Sequence, residues 1–246
     1  MIKIKNYGNS ADIIIHGDII DDADGNWLKL LAGSDEVIGY VWPDKVRKEL
    51  DELKGIPLNV HIASDGGSVQ AGTTLVNFLK NHDAPVVTYI DSWAASIASV
   101  IAFAGSKIVM AGNTYLMIHN PSGGAVGTAD YLRSVATFLD KIRDNIAKTY
   151  ASKSEKDEAY FLDLMDKETW LTASECKELF GDYVELLEDN ADLAAVACFS
   201  GFENAPDALN MEKVKMQQEA EKQAKLEADK KYIMQVIEKS LGGTQA

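Results

Sequence analysis

The sequence predicts an α/β fold built on a largely parallel sheet, and three observations carry that reading. Short alternating strands recur, helical segments of ten or more residues separate them, and glycine-rich turns mark the joints. The clearest strand is Leu58 to Ala63, where Leu58, Val60 and Ile62 alternate with Asn59 and His61. Ile13 to Ile15 reads as a shorter buried strand ended by Gly17, and Val86 to Ile90 as a third. Between them, Val46, Leu50 and Leu53 fall at helical spacing, with Pro43 suited to the first turn and Gly55 to the stop. Ser64-Asp65-Gly66-Gly67-Ser68 feeds a second helix over Val69 to Lys80. Asp21 to Tyr40 shows no clear period and is expected to be irregular.

Ala94 to Ala104 reads as a buried helix, followed by short strands at Lys107 to Met110 and Leu116 to His119. Leu132, Val135, Ala136, Leu139, Ile142 and Ile146 then repeat at three and four, predicting a long amphipathic helix from Asp130 to Tyr150. A helix at Ala173 to Phe180 stops at Gly181, and Tyr183 to Leu187 reads as a last strand. Beyond Asn190 the composition shifts to Ala, Glu, Lys and Gln, and Met211 to Lys239 is helix-prone with a patchy apolar stripe. The expected organisation is a core domain over 1–189 and a charged, helix-prone appendage over 190–246.

A chain of 246 residues, 46% hydrophobic and 25% charged, can build one sizeable core without disulfide or metal support. Its formal charge of -14 argues against nucleic acid or an anionic membrane as the main partner, since both would repel it. Cys176 and Cys198 sit in no CxxC or Cys/His cluster, so neither a disulfide framework nor a zinc site has support. The N-terminus lacks the apolar stretch of a signal peptide, and the longest apolar run, Trp93 to Gly105, is shorter than the about 20 residues a bilayer needs. A soluble, cytoplasmic protein without metal or cofactor is expected.

Candidate chemistry centres on histidine and serine. His61 occupies the polar phase of a strand, His16 flanks a glycine, and His82 lies in a loop with no evident partner, so each reads as a surface or strand-end residue. His119 differs: it ends a short strand and meets Asn120-Pro121 and a Gly-Gly turn, a place where reactive groups commonly sit. Ser96 lies among small residues at the start of an apolar helix, where unpaired N–H groups favour a developing oxyanion. Spacing alone does not prefer Ser96 over Ser92 or Ser99. Gly66-Gly67 after a strand permits either a tight turn or close backbone approach to a ligand. No phosphate loop, GxGxxG, HExxH or carboxylate cluster is present.

In order, these segments resemble blocks of the Clp protease proteolytic subunit family. Ile62-Ala63-Ser64-Asp65-Gly66-Gly67-Ser68 resembles that family's strand and Ser-Pro-Gly-Gly turn, with Asp65 in place of the usual proline. Trp93-Ala94-Ala95-Ser96-Ile97-Ala98 resembles the block around its nucleophile, and Met117-Ile118-His119-Asn120-Pro121 its Met-Ile-His-Gln-Pro block. The resemblance spans Ile13 to Leu187. It implies a ClpP/crotonase-like βαβ superhelix with a long handle helix, in which Ser96 is the nucleophile, His119 the base, and the backbone N–H groups of Gly67 and Ile97 the oxyanion donors. Glu168 stands where the family carries the triad aspartate, ahead of Trp170-Leu171-Thr172-Ala173, with Asp166 as the alternative acid.

The resemblance further implies a serine endopeptidase acting on protein or peptide substrates within a heptamer-based ring. With no Walker motif in the chain, any use of ATP belongs to a partner AAA+ unfoldase. Asp65, Glu168, a short N-terminus and the appendage resemble the Clp-related head-maturation proteases of phages and prophages, whose substrates are capsid or scaffold proteins. The rival class is a catalytically silent scaffold subunit. Acyl-CoA enzymes of the crotonase group share the oxyanion donors but lack the Ser/His pair.

Overall fold

The computed structural model describes residues 10–34 and 37–187 and the backbone of Lys5–Asn6. The expected appendage over 190–246, with Cys198, lies outside the described residues. The sheet contains β1 (Lys5–Asn6), β2 (Ala11–His16), β5 (Leu58–Ser64), β6 (Val86–Ala95), β7 (Ile108–Met110), β8 (Tyr115–Ile118), β9 (Thr169–Thr172) and β10 (Val184–Leu186), while β3 (Asp18–Ile19) and β4 (Tyr40–Val41) form a small parallel pair. Strands β2, β5, β6, β7 and β10 lie side by side and parallel. The helices are α1 (Asp22–Ala32), α2 (Pro43–Glu52), α3 (Val69–Lys80), α4 (Ile97–Ala102), α5 (Ala129–Ala151), α6 (Glu158–Asp166) and α7 (Ala173–Phe180). None of the described helices is long and apolar enough to cross a membrane.

The alternation in β2 and β5 becomes two faces. Ile13, Ile15, Val60 and Ile62 are fully buried, whereas Asp12, Asn59 and His61 are only partly covered. Each such aliphatic side chain contributes roughly 1.5–3 kcal/mol when removed from water, which fixes the register of both strands. Local signals end the helices as the sequence requires. Ser68 caps α3 by accepting from the Ala71 N–H at 3.2 Å, and Thr172 with Glu175 forms a reciprocal capping box on α7.

Two expectations are corrected. Asp21 to Tyr40 is not irregular, since it contains α1 and reaches β4. The helix leaves no apolar stripe because Trp27, Leu30 and Leu31 face solvent, while Gly25 packs so close to Trp42 that a Cβ would come within 2.4 Å of the ring. The expected helix from Ala94 to Ala104 starts only at Ile97, because Trp93 to Ala95 continue β6 and pair with Tyr115 to Met117 of β8. Ala94 and Ala95 are both fully buried, so the strand shows no alternation there. Helix α6 and strand β9, which the sequence pattern did not mark, complete the fold.

Candidate active site

Strand β8 brings three distant residues to one edge. Its neighbour β6 is parallel, with Ala95 opposite Met117, and β9 is antiparallel, with Ile118 opposite Thr169. One step further along the two registers, Ser96 follows β6 beside the end of β8, and His119 stands opposite Glu168. The carboxyl ends of parallel strands in open α/β sheets are where sites are commonly built.

Ser96 has φ 57° and ψ −129°, in the region that side chains other than glycine rarely adopt. Such a residue costs on the order of 1–3 kcal/mol and persists only where its surroundings over-determine it. Here the Ser96 N–H donates to the Met117 carbonyl at 3.1 Å, and its own carbonyl accepts from the Ser99 N–H at 3.0 Å. Gly66, at φ 99°, leaves the room, since a Cβ there would lie 2.6 Å from Ser96 Cβ. His119 Nε2 lies 2.7 Å from Ser96 Oγ. Burial lowers the pKa of His119 below its ordinary value, partly opposed by the charge of Glu168. The imidazole is therefore neutral near pH 7, and in its Nδ1–H tautomer Nε2 can accept the hydroxyl proton.

The two candidate acids have different contacts. Glu168 has the other positive φ of a non-glycine residue among the described residues, 46°, and its N–H donates to Met165 at 3.2 Å where α6 turns into β9. Asp166 Oδ1 instead accepts from Asn120 Nδ2 at 2.8 Å. The negative charge of Glu168 favours the protonated form of His119.

Around Gly67, the Ile19 N–H donates to Gly66 at 2.8 Å and the Ser68 N–H to Ile19 at 2.7 Å, a parallel bridge centred on Ile19 and Gly67. The central residue of such a bridge turns its own N–H away from the partner strand, and Gly67 is exposed. Its φ of 138° and an imagined Cβ only 2.1 Å from the Ile19 carbonyl explain why glycine stands there. Ile97 opens α4, where the first N–H groups lack intrahelical acceptors. The Trp93 Nε1–H donates to Asp65 Oδ1 at 2.6 Å, tying this turn to β6. Burial raises the Asp65 pKa, and the Trp93 bond opposes that rise. A small cavity walled by Val69, Ile97, Pro121, Ile146 and Tyr150 opens onto Ser96 and His119.

The remaining histidines sit elsewhere and are better anchored than the sequence indicates. The His82 side chain is only 4% exposed, and its ring bonds the Ile56 carbonyl at 2.9 Å. His16 Nε2 and His61 Nδ1 approach the two oxygens of Asp91 at 2.9 and 2.8 Å. These three residues come from three strands, so no sequence spacing marks them. Cys176 is a buried free thiol, and no cluster among the described residues could hold a metal ion.

A family model described as Clp protease matches residues 49–181. ATP-dependent Clp protease proteolytic subunits are similar to this chain: that of Leuconostoc citreum is 34% identical over 122 residues, 48% of this chain and 61% of the relative. A subunit designated 2 from Treponema denticola is 32% identical over 139 residues, 56% of this chain and 69% of the relative. The first of these matches thus spans less than two thirds of the relative's length. Among solved structures, a ClpP1 mutant from Listeria monocytogenes superposes with a TM-score of 0.57 at 22% identity, covering 73% of this chain and 92% of the other, a likeness of fold.

Proposed function

This chain belongs to the Clp protease family, and from that premise we propose that it is a serine endopeptidase with Ser96 as nucleophile and His119 as general base. The observation that carries the proposal is the 2.7 Å contact of His119 Nε2 with a serine held at positive φ. In this mechanism His119 takes the hydroxyl proton as Ser96 Oγ attacks the scissile carbonyl, and the N–H groups of Gly67 and Ile97 receive the oxyanion. His119 then protonates the leaving amine, and a water repeats the sequence to free the acyl group. Glu168 holds the tautomer and stabilises the imidazolium.

Tyr131, Leu132 and Phe138 of α5 are exposed, which supports a contact between copies in a ring. ATP use would come from a separate unfoldase. Asp65 and Glu168, at positions of proline and aspartate in the family motif, favour a second reading as a head-maturation protease cutting capsid or scaffold proteins.

Hydrolysis of a fluorogenic peptide tests the proposal. Wild type turns over, while Ser96→Ala and His119→Ala do not. Equal turnover by all three proteins would overturn it, and monomer at micromolar concentration in light scattering would remove the ring.

A further inference from the structure

We propose that Ser99 and Tyr150 are positioning residues for Ser96, forming a buried hydrogen-bond relay that anchors the strained nucleophile to α5. The inference rests on the reading of Ser96 as the nucleophile. The Ser99 hydroxyl donates to the Ser96 carbonyl at 2.5 Å, beside the Ser99 N–H that donates to the same oxygen at 3.0 Å. A serine hydroxyl has one proton, and that proton is committed to Ser96. The 2.7 Å contact between Ser99 Oγ and Tyr150 Oη therefore requires Tyr150 to be the donor.

Both residues are almost fully buried, so water cannot replace a lost partner. Burial also raises the Tyr150 pKa, keeping its hydroxyl a neutral donor. The tyrosine ring is fixed in turn, edge-on to Phe103 at 5.4 Å and tilted against Phe161 at 5.8 Å.

The relay acts on the two peptide planes that flank the Ser96 Cα. Met117 holds the N–H side and sets φ, while Ser99, steadied by Tyr150, holds the carbonyl side and sets ψ. With both planes fixed, the Cα–Cβ bond is fixed too, which leaves χ1 alone to place Oγ 2.7 Å from His119 Nε2. Losing one anchor lets Oγ drift, and a displacement of about 1 Å can cost on the order of 100-fold in rate. Ser99 thus has a role distinct from that of Ser96, three residues away on the same turn.

Acylation of Ser96 by a fluorophosphonate, with maximal rate and half-saturating concentration resolved, tests the relay. Ser99→Ala lowers the maximal rate about tenfold and Tyr150→Phe about threefold, each with little change in half-saturation. The double variant is no slower than Ser99→Ala within about twofold, because Tyr150 acts through Ser99. Ile13→Val, a core change in β2 outside the relay, lowers the melting temperature and keeps the wild-type rate. Folded Ser99→Ala and Tyr150→Phe that both react at the wild-type rate would overturn the relay alone, as would an equal loss in Ile13→Val. If Ser99→Ala does not fold, Tyr150→Phe decides. A wild type that never labels at Ser96 overturns the nucleophile assignment and the relay with it.

Discussion

Two histidine constellations lie on the same sheet, and hydrogen-bond distance does not separate them. His119 meets Ser96 at 2.7 Å, and His16 and His61 meet Asp91 at 2.9 and 2.8 Å. The difference is in what surrounds the imidazoles. At His119, burial depresses the pKa, the partner is a hydroxyl at positive φ, and a cavity opens on both. At Asp91, burial alone would raise the carboxyl pKa, but bonds to His16 and His61 and their charges hold it down to about 2. The first arrangement favours a neutral base beside a nucleophile. The second is a partly exposed cluster with an electrostatic role in holding three neighbouring strands, β2, β5 and β6, together.

The comparison breaks most sharply at Ser96. Ser96→Ala is expected to lower kcat/KM by about 10⁴-fold or more with little change in melting temperature, as removal of a nucleophile does. Gly66→Ala comes next: its new Cβ would sit 2.6 Å from Ser96 Cβ, at a φ of 99°. Peptide hydrolysis should fall on the order of 100-fold, and differential scanning calorimetry should show a lower melting temperature as well.

Glu168→Gln should reduce kcat about 10–100-fold. Its stronger signature is the pH profile. With His119 as the proposed base, the acid limb of kcat/KM should report its free-enzyme pKa, which lies below the ordinary value of about 6.5. Removing the negative charge destabilises the imidazolium, so the midpoint should move further down in Glu168→Gln. An unmoved or rising midpoint would show that Glu168 does not act on His119.

The smallest effect is expected at Asp91. Its folded pKa lies below the unfolded value, so its contribution is present above about pH 4 and is lost as pH falls toward 2. After solvent screening, Asp91→Asn should cost about 1 kcal/mol or less at neutral pH, a drop of roughly 2–4 °C in melting temperature. That gap should close as pH falls from about 4 toward 2, while at neutral pH Asp91→Asn and wild type should hydrolyse peptide at the same rate. A large loss of hydrolysis would join the two constellations functionally.

The sequence made regular elements legible where one face is buried and the other wet. Leu58 to Ala63 and Val69 to Lys80 match their observed elements closely, because alternation and a serine cap are local signals. Trp27, Leu30 and Leu31 hid α1 by facing solvent, and Ala94-Ala95 hid the end of β6 by being buried on both sides. Ser96 and His119 could be paired only through the order of three motif blocks, since their contact depends on the β6–β8 register. The positive φ of Glu168, the Trp93 bond to Asp65 and the cluster at Asp91 have no local signal, because each depends on segments brought together by the fold.

Mapping a fluorophosphonate adduct by mass spectrometry after proteolytic digestion tests the central assignment most directly. Wild type should carry one adduct on Ser96, formed more slowly as pH falls through the His119 pKa, and Ser96→Ala should carry none there. An unmodified Ser96 beside an adduct on another serine, or no adduct in a correctly folded wild type, would contradict it.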